Sequence, residues 1–343
     1  KITIIFLIRS RKGTPDDCSG LWTSGIINKN KIIMQNCAFT RNLLKNLSSL
    51  SVGILILICQ CSGQQKGEQG RMVKFFKDPK TNSVDPEIRM AYGLNIVPPW
   101  PDGGSVFLNL PEHLEYMPDT KGIARHHDNR LNVWQISNDS TEAKYSVESI
   151  TEPGVFFEAK AKSKNNQAVF EFTITNRTNK TLHSIRPLFC FQYNPLHGFP
   201  AQNSDNFSHT YIIINGAPAK VSELAVRNKN AQARMAQAGS CADEHNWWAE
   251  KAGGMIEQKI DAAYTILTDT SDTRKIIVTW APGKDFLSNS EIPCIHADPC
   301  IGNLEPGKSV TVTGALIFTS EGLQDIMKDY QKGKYPLQHN LDK

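Results

Sequence analysis

The segment Ala168-Val169-Phe170-Glu171-Phe172-Thr173-Ile174-Thr175 constrains this chain more than any other stretch of its length. Ala168, Phe170, Phe172 and Ile174 recur at every second residue, a spacing that lines one face of a β-strand and scatters around a helix. Turn-forming residues bound it, Lys164-Asn165-Asn166 before and Asn176-Arg177-Thr178-Asn179-Lys180 after. An alternating run, Val155–Ala161, precedes it, and an apolar run, Leu182–Tyr193, follows. Together the three read as an antiparallel meander with short polar turns.

The same reading places strands at Thr210–Asn215, Ile260–Thr268, Lys275–Trp280 and Ser309–Thr319, the last with Val310, Val312, Gly314 and Leu316 on one face. Upstream, Ile88–Ile96, Ser105–Leu110, Leu131–Ile136 and Lys144–Ile150 are further strand candidates. Two stretches read as helices. Ala231–Ala238 is rich in Ala and Gln, good helix formers. Glu321–Lys332 sets Leu323, Ile326, Met327 and Tyr330 on one helical face, with Ser320 as N-cap. The expected fold is therefore mainly β: one large antiparallel two-sheet sandwich with a short C-terminal helix. No repeat of fixed period argues for a propeller, and no Gly-rich phosphate loop follows a strand.

Charge is unevenly spread. Residues 1–63 hold eight Lys/Arg and two Asp/Glu, whereas residues 64–343 hold 30 and 32. The larger part is slightly acidic and lacks the basic footprint of a nucleic-acid binder. From Met34 the chain has the layout of a secretory signal: basic Arg41 and Lys45, then the uncharged run Leu47–Ile58, too short to span a membrane. Cleavage before Gln64 and acylation of Cys59 or Cys61 are alternative outcomes. The expected organisation is an upstream segment 1–33, a signal peptide or lipoprotein signal 34–63, and a single sandwich domain 64–343. The expected location is exported (periplasmic, outer-membrane-anchored or extracellular), with membrane contact only through a lipid anchor.

Four segments could carry chemistry. Cys294-Ile295-His296-Ala297-Asp298-Pro299-Cys300 allows a Cys294–Cys300 disulfide, a metal site, a polar binding site through His296 and Asp298, or a structural turn. Its C-x-H-x-D-x-C spacing is not that of a standard zinc site, and no metal or other cofactor is expected. Arg125–Arg130 places His126 either on a polar rim or in a solvated loop. Asn194–Pro200 leaves an apolar strand and offers His197 for acid/base work. Cys241–Trp248 brings His245 beside Trp247 and Trp248, flat faces suited to stacking on sugar rings. Cys190 sits in an apolar strand and is expected to be buried or paired with Cys241. There is no G-x-S-x-G elbow and no H-E-x-x-H, and Glu152, Glu158, Asp243, Glu244 and Asp298 are carboxylates none of which stands out. Asn-x-Ser/Thr sequons occur at Asn138, Asn176, Asn179 and Asn206.

The C-terminal block, Cys294-Ile295-His296-Ala297-Asp298-Pro299 followed by Gly302-x-Leu304-x-Pro306-Gly307, resembles the end of uncharacterised secreted bacterial β-sandwich proteins, as does Asn194-Pro195-Leu196-His197. In size and strand content the chain is similar to the galactose-mutarotase-like supersandwich, a fold shared by carbohydrate epimerases and by accessory domains of lyases and hydrolases. The resemblance implies a fold; export, the β architecture, the Trp247/Trp248 pair and the His-bearing loops point to a poly- or oligosaccharide partner. It does not carry epimerase activity, because the mutarotase catalytic His and Glu have no placed counterparts here. The functional expectation is an exported carbohydrate-binding or carbohydrate-processing protein. His197 and His296 would be catalytic, and Trp247, Trp248, His126, His245 and Asp298 would bind substrate. The alternative is a non-catalytic envelope structural or protein-interaction module.

Overall fold

The computed structural model describes residues 7–9, 22–24, 71–77, 91–102, 104–117, 121–125, 130–193, 196–201, 205–238 and 254–334. The chain divides into two compact units, Lys1–Ser62 and Gly63–Lys343. In the first, β1 (Leu7–Arg9) pairs antiparallel with β2 (Trp22–Ser24).

The second unit holds, in chain order, β3 (Lys74–Lys77), β4 (Gly93–Val97), β5 (Val106–Met117), β6 (Lys121–Arg125), β7 (Gln135–Ile136) and β8 (Glu142–Glu148). Then come β9 (Val155–Lys164), β10 (Gln167–Asn176), β11 (Leu182–Gln192), β12 (Thr210–Ile214), β13 (Ala217–Lys220), β14 (Ala233–Gln237) and β15 (Tyr264–Thr268). Last are β16 (Lys275–Ala281), β17 (Gly283–Asn289), β18 (Cys294–Pro299), β19 (Gly302–Leu304), β20 (Ser309–Thr319) and helix α1 (Leu323–Gln331). They form two antiparallel sheets. Sheet I runs β13-β12-β15-β16-β20-β10-β9-β8-β7, and sheet II runs β14-β17-β18-β11-β5-β4-β3, with β19 beside β11 and β6 beside β5. Among the described residues no helix is long and apolar enough to cross a membrane.

The alternation in β10 does what its period demands. Ala168, Phe170, Phe172 and Ile174 are buried between the sheets with Phe157 and Trp280 of sheet I and Leu108, Phe189 and Ile295 of sheet II. Rings meet across the layers, Phe172 with Phe189 at 5.2 Å and Phe189 with Trp280 at 4.5 Å. Gly314 of β20 lies opposite both Phe170 and Trp280. A Cβ there would sit 2.4 Å from the Trp280 ring, so the missing side chain is the space the indole occupies. On the outer face of sheet I, Ile326 and Met327 of α1 pack on Ile213, Tyr264, Ile266, Ile277 and Ile317, flanked by Leu323 and Tyr330. The helical face therefore lies where its spacing puts it. Gly322, not Ser320, is its N-cap, and no side chain caps it.

Three expectations are corrected. The expected meander is broken after β10: β9 pairs with β10, but β11 crosses to sheet II and β20 takes its place beside β10. Ala231–Ala238 is not helical, because Ala233–Gln237 pairs residue by residue with β17 and closes the edge of sheet II. A completed ladder outweighs a helix propensity worth only tenths of a kcal/mol per residue. The turn expected at Cys294–Cys300 is a strand, every residue of Cys294–Pro299 being buried.

Candidate functional site

Two side-chain clusters with chemical character stand out. The first lines a cleft of about 950 Å³ walled by Trp100, Asp102, the β15–β16 turn at residues 269–275, and the start of α1 from Ser320 to Asp325. That volume suits an oligosaccharide or a drug-sized molecule. The turn is organised by Asp269. Its Oδ1 accepts from the backbone N–H groups of Thr273 (2.7 Å) and Arg274 (3.1 Å), and its Oδ2 from the hydroxyls of Ser271 (2.9 Å) and Thr273 (3.0 Å). Burial alone would raise this carboxyl, but the donors from Arg274, Ser271 and Thr273 together hold it below its ordinary value.

Arg274 ties the turn to the rest of the cleft. Its guanidinium donates to Asp102 Oδ2 (2.6 Å), to Asp269 Oδ2 (3.3 Å) and to the His197 carbonyl (2.6 Å). It lies over the rings of Trp100 (5.1 Å) and Phe199 (5.8 Å), which stack on one another. Gly198, at φ +84°, lets the loop approach: a Cβ there would come within 2.6 Å of the Arg274 guanidinium. The side chain of His197 is exposed, and its backbone rather than its ring builds this site.

Four aspartates (Asp102, Asp269, Asp272 and Asp325) face two cations (Arg274 and Lys275) in the cleft wall. The surplus of negative charge, lessened where Lys328 pairs with Asp325 at 2.9 Å, disfavours anionic ligands. Ser271, Thr273, Ser320 and Gln324 add neutral donors and acceptors, and Trp100, Pro101 and Leu323 an apolar strip.

The second cluster lies on the face of sheet II that points away from the core. In β18, Ile295 and Ala297 enter the core, so Cys294, His296 and Asp298 point the other way. Pairing sets their neighbours: Gln192 opposite Cys294, Leu287 opposite His296, and Asn109 opposite Cys190. Between the pairs Asn109–Cys190 and His113–Leu188, β5 has three residues and β11 has one. The surplus is a bulge at Leu110-Pro111-Glu112, the setting in which a central strand tolerates proline. It swings Glu112 Oε2 to 3.8 Å from His296 Nε2.

On the other side of the ring, His296 Nδ1 lies 3.6 Å from Asp298 Oδ2, while Asp298 Oδ1 accepts from the Phe189 N–H at 2.8 Å. Burial would lower the His296 imidazole, but the Asp298 carboxylate reverses this and holds it well above its ordinary value. A hydrogen bond with Cys294, followed by burial, pushes the Cys190 thiol well up. Cys190 Sγ, Cys294 Sγ and a His296 ring nitrogen all lie within 4.8 Å of one another. This face is closed to large molecules: Asn109, Cys190, Cys294, His296 and Asp298 are each at most 6% exposed.

Both cysteines are free thiols. The expected Cys294–Cys300 bridge is therefore not formed, and neither is a Cys190–Cys241 bridge. Cys300 is disulfide-bonded, but not to Cys294. The reason is extension. Six residues along a strand span about 20 Å, whereas a disulfide needs Cα atoms within about 7 Å. Of the expected site residues, His296 and Asp298 come together on β18, while His197 belongs to the loop beside Arg274. His126, His245, Trp247 and Trp248 lie outside the described residues. The cleft residues Asp269 and Arg274 escaped the sequence reading. The polar run Asp269-Thr270-Ser271-Asp272-Thr273 between two apolar strands was the signal that could have found them.

No protein-family model matches this sequence, and no curated protein does. Solved structures do resemble it. Galactose 1-epimerase from Lactobacillus acidophilus NCFM superposes with a TM-score of 0.35 at 12% identity, over 74% of this chain and 100% of that one. A putative aldose 1-epimerase from Escherichia coli K12 gives 0.35 at 9% identity, over 67% and 97%. The α-N-acetylgalactosaminidase NagBb from Bifidobacterium bifidum gives 0.41 at 10%, over 77% of this chain and 38% of that one. The likeness is one of strand arrangement. No residue role or activity follows from it.

Proposed function

We propose that this is an exported carbohydrate-binding protein that holds a neutral saccharide in the cleft around Arg274. The cleft itself carries the reading. It is open and of saccharide size, its polar groups are held in place by Asp269, and its net charge is negative. Hydroxyl-rich, uncharged ligands gain from many fixed donors and acceptors and lose nothing to that field. Export rests on the secretory layout of residues 34–63.

The test uses the purified protein with neutral and uronic-acid glycans in affinity gels, scoring new reducing or unsaturated ends in the same samples. Retention of neutral glycans, weakened at least tenfold by Asp272→Ala or Gln324→Ala, is expected. If ends are released, His197 is the first side chain to replace. Preferential retention of polyuronates overturns the choice of ligand. No retention of any glycan overturns the carbohydrate reading and leaves the envelope-interaction alternative.

A further inference from the structure

We infer that Cys190, Cys294, His296 and Glu112 form a buried tetrahedral zinc site on the outer face of sheet II. Two thiols and an imidazole already converge within 4.8 Å. Zinc bound to thiolate at about 2.3 Å and to nitrogen or oxygen at about 2.0–2.2 Å needs tetrahedral ligand atoms about 3.3–3.8 Å apart. The required contraction is about an ångström, within the reach of side-chain rotation. Glu112 lies outside that three-residue cluster and its carboxylate must turn towards the thiols, starting from 3.8 Å at His296 Nε2.

The surroundings fit a ligand set better than they fit a core. Zinc-bound histidines present one ring nitrogen to the ion and the other to a carboxylate that is itself hydrogen-bonded. With His296 Nδ1 turned to Asp298, and Asp298 anchored by the Phe189 N–H, Nε2 is left for the ion. The bulge in β5 supplies Glu112 as a fourth, hard donor. That donor favours a borderline divalent ion over monovalent copper, which prefers sulfur and nitrogen alone.

The thiols are not joined to each other, although they lie within 4.8 Å. Gln192, not Cys190, lies opposite Cys294, so the two cysteines are diagonal neighbours rather than a facing pair. Both thiols are free and buried, and a cation would neutralise two thiolates there, with Glu112, 23% exposed, on the solvent side.

The experiment purifies the full chain without chelator, measures bound metals by mass spectrometry, then removes them and titrates with Co²⁺ as a spectroscopic stand-in for Zn²⁺. About one zinc per chain is expected, with thiolate-to-cobalt charge-transfer bands and the intense visible bands of a tetrahedral centre, both displaced by Zn²⁺. Cys190→Ser and Cys294→Ser should abolish the charge-transfer bands or reduce them to those of a single thiolate. Asp298→Asn, which keeps its shape, should weaken metal affinity about 10–100-fold. Should a cysteine variant fail to fold, the wild-type titration and mass mapping of its thiols decide alone. Octahedral cobalt bands, uptake of Cu⁺ without Zn²⁺ or Co²⁺, or a Cys190–Cys294 disulfide in the purified protein each overturns the assignment.

Discussion

Replacing Arg274 by methionine removes the guanidinium and keeps much of the aliphatic stem that covers Trp100 and Phe199. Each of its partners has a different worth. The Asp102 pair, at 2.6 Å, involves a side chain 47% exposed and contributes about 0–1 kcal/mol once solvent screening is counted. The bond to the His197 carbonyl, at 2.6 Å, links a charged donor to a neutral acceptor and is worth about 1.5–3 kcal/mol. Asp269, only 2% exposed, keeps its backbone and hydroxyl donors but loses its counter-charge, and the stacked rings lose about 0.5–1 kcal/mol of cation–π attraction. These terms overlap, so the expected destabilisation is about 2–4 kcal/mol. Against a typical stability of about 5–15 kcal/mol the variant should still fold. Urea unfolding followed by tryptophan fluorescence should show a lower midpoint with an unchanged slope. Arg274→Lys should recover less than half of the loss, since one ammonium cannot fork to three acceptors. A shift worth less than about 0.5 kcal/mol would refute the claim that Arg274 locks the cleft. So would full rescue by lysine.

Three further predictions follow from the same geometry. Gly314→Ala should cost about 1–3 kcal/mol, read as a lower thermal midpoint, because the new methyl falls within the Trp280 ring; an unchanged midpoint would mean the indole yields freely. Asp269 is held below its ordinary pKa, so its contribution is present above the unfolded value of about 3.9 and fades as pH falls through the lower folded value. The stability gap between the wild type and Asp269→Asn should accordingly narrow between neutral pH and about pH 3, and a gap that widens would contradict the sign. Asn176 is fully buried, with Nδ2 donating to the carbonyls of Lys180 (2.8 Å) and Leu304 (2.9 Å) and Oδ1 accepting from the Thr178 N–H (2.9 Å). Asn176→Ala should lose about 2–3 kcal/mol in chemical denaturation, and mass spectrometry should find no glycan at this sequon.

Where one face of a strand is apolar and the other polar, the sequence announced it: β10, β20 and the inward face of α1 fall where their periods place them. Period says nothing about partners, so the departure of β11 to sheet II was invisible; either sheet satisfies the apolar run Leu182–Tyr193. β18 was misread for a different reason. Both its faces are buried, one lined by Ile295 and Ala297 and the other by Cys294, His296 and Asp298, so polar residues that usually mark a loop are here enclosed. His296 and Asp298 were legible as a pair because they share one strand. Their link to Cys190 and Glu112 depends on the register of β18 and β5 against β11 and on a bulge, neither of which a linear reading supplies.

The position of β20 also bears on how the chain reaches its native state. This strand ends at Thr319, yet it lies in the middle of sheet I, between β16 and β10, where Ser309 meets Thr175 and Thr319 meets Lys275. Its ladder with β10 closes a separation of more than a hundred residues, a high-contact-order step of the kind that sets slow folding rates. A nascent chain that has emerged only as far as β19 holds β10 and β16 with their facing edges unpaired. Sheet I is thus completed only once β20 has followed, and until then the chain exposes two edges open to mispairing.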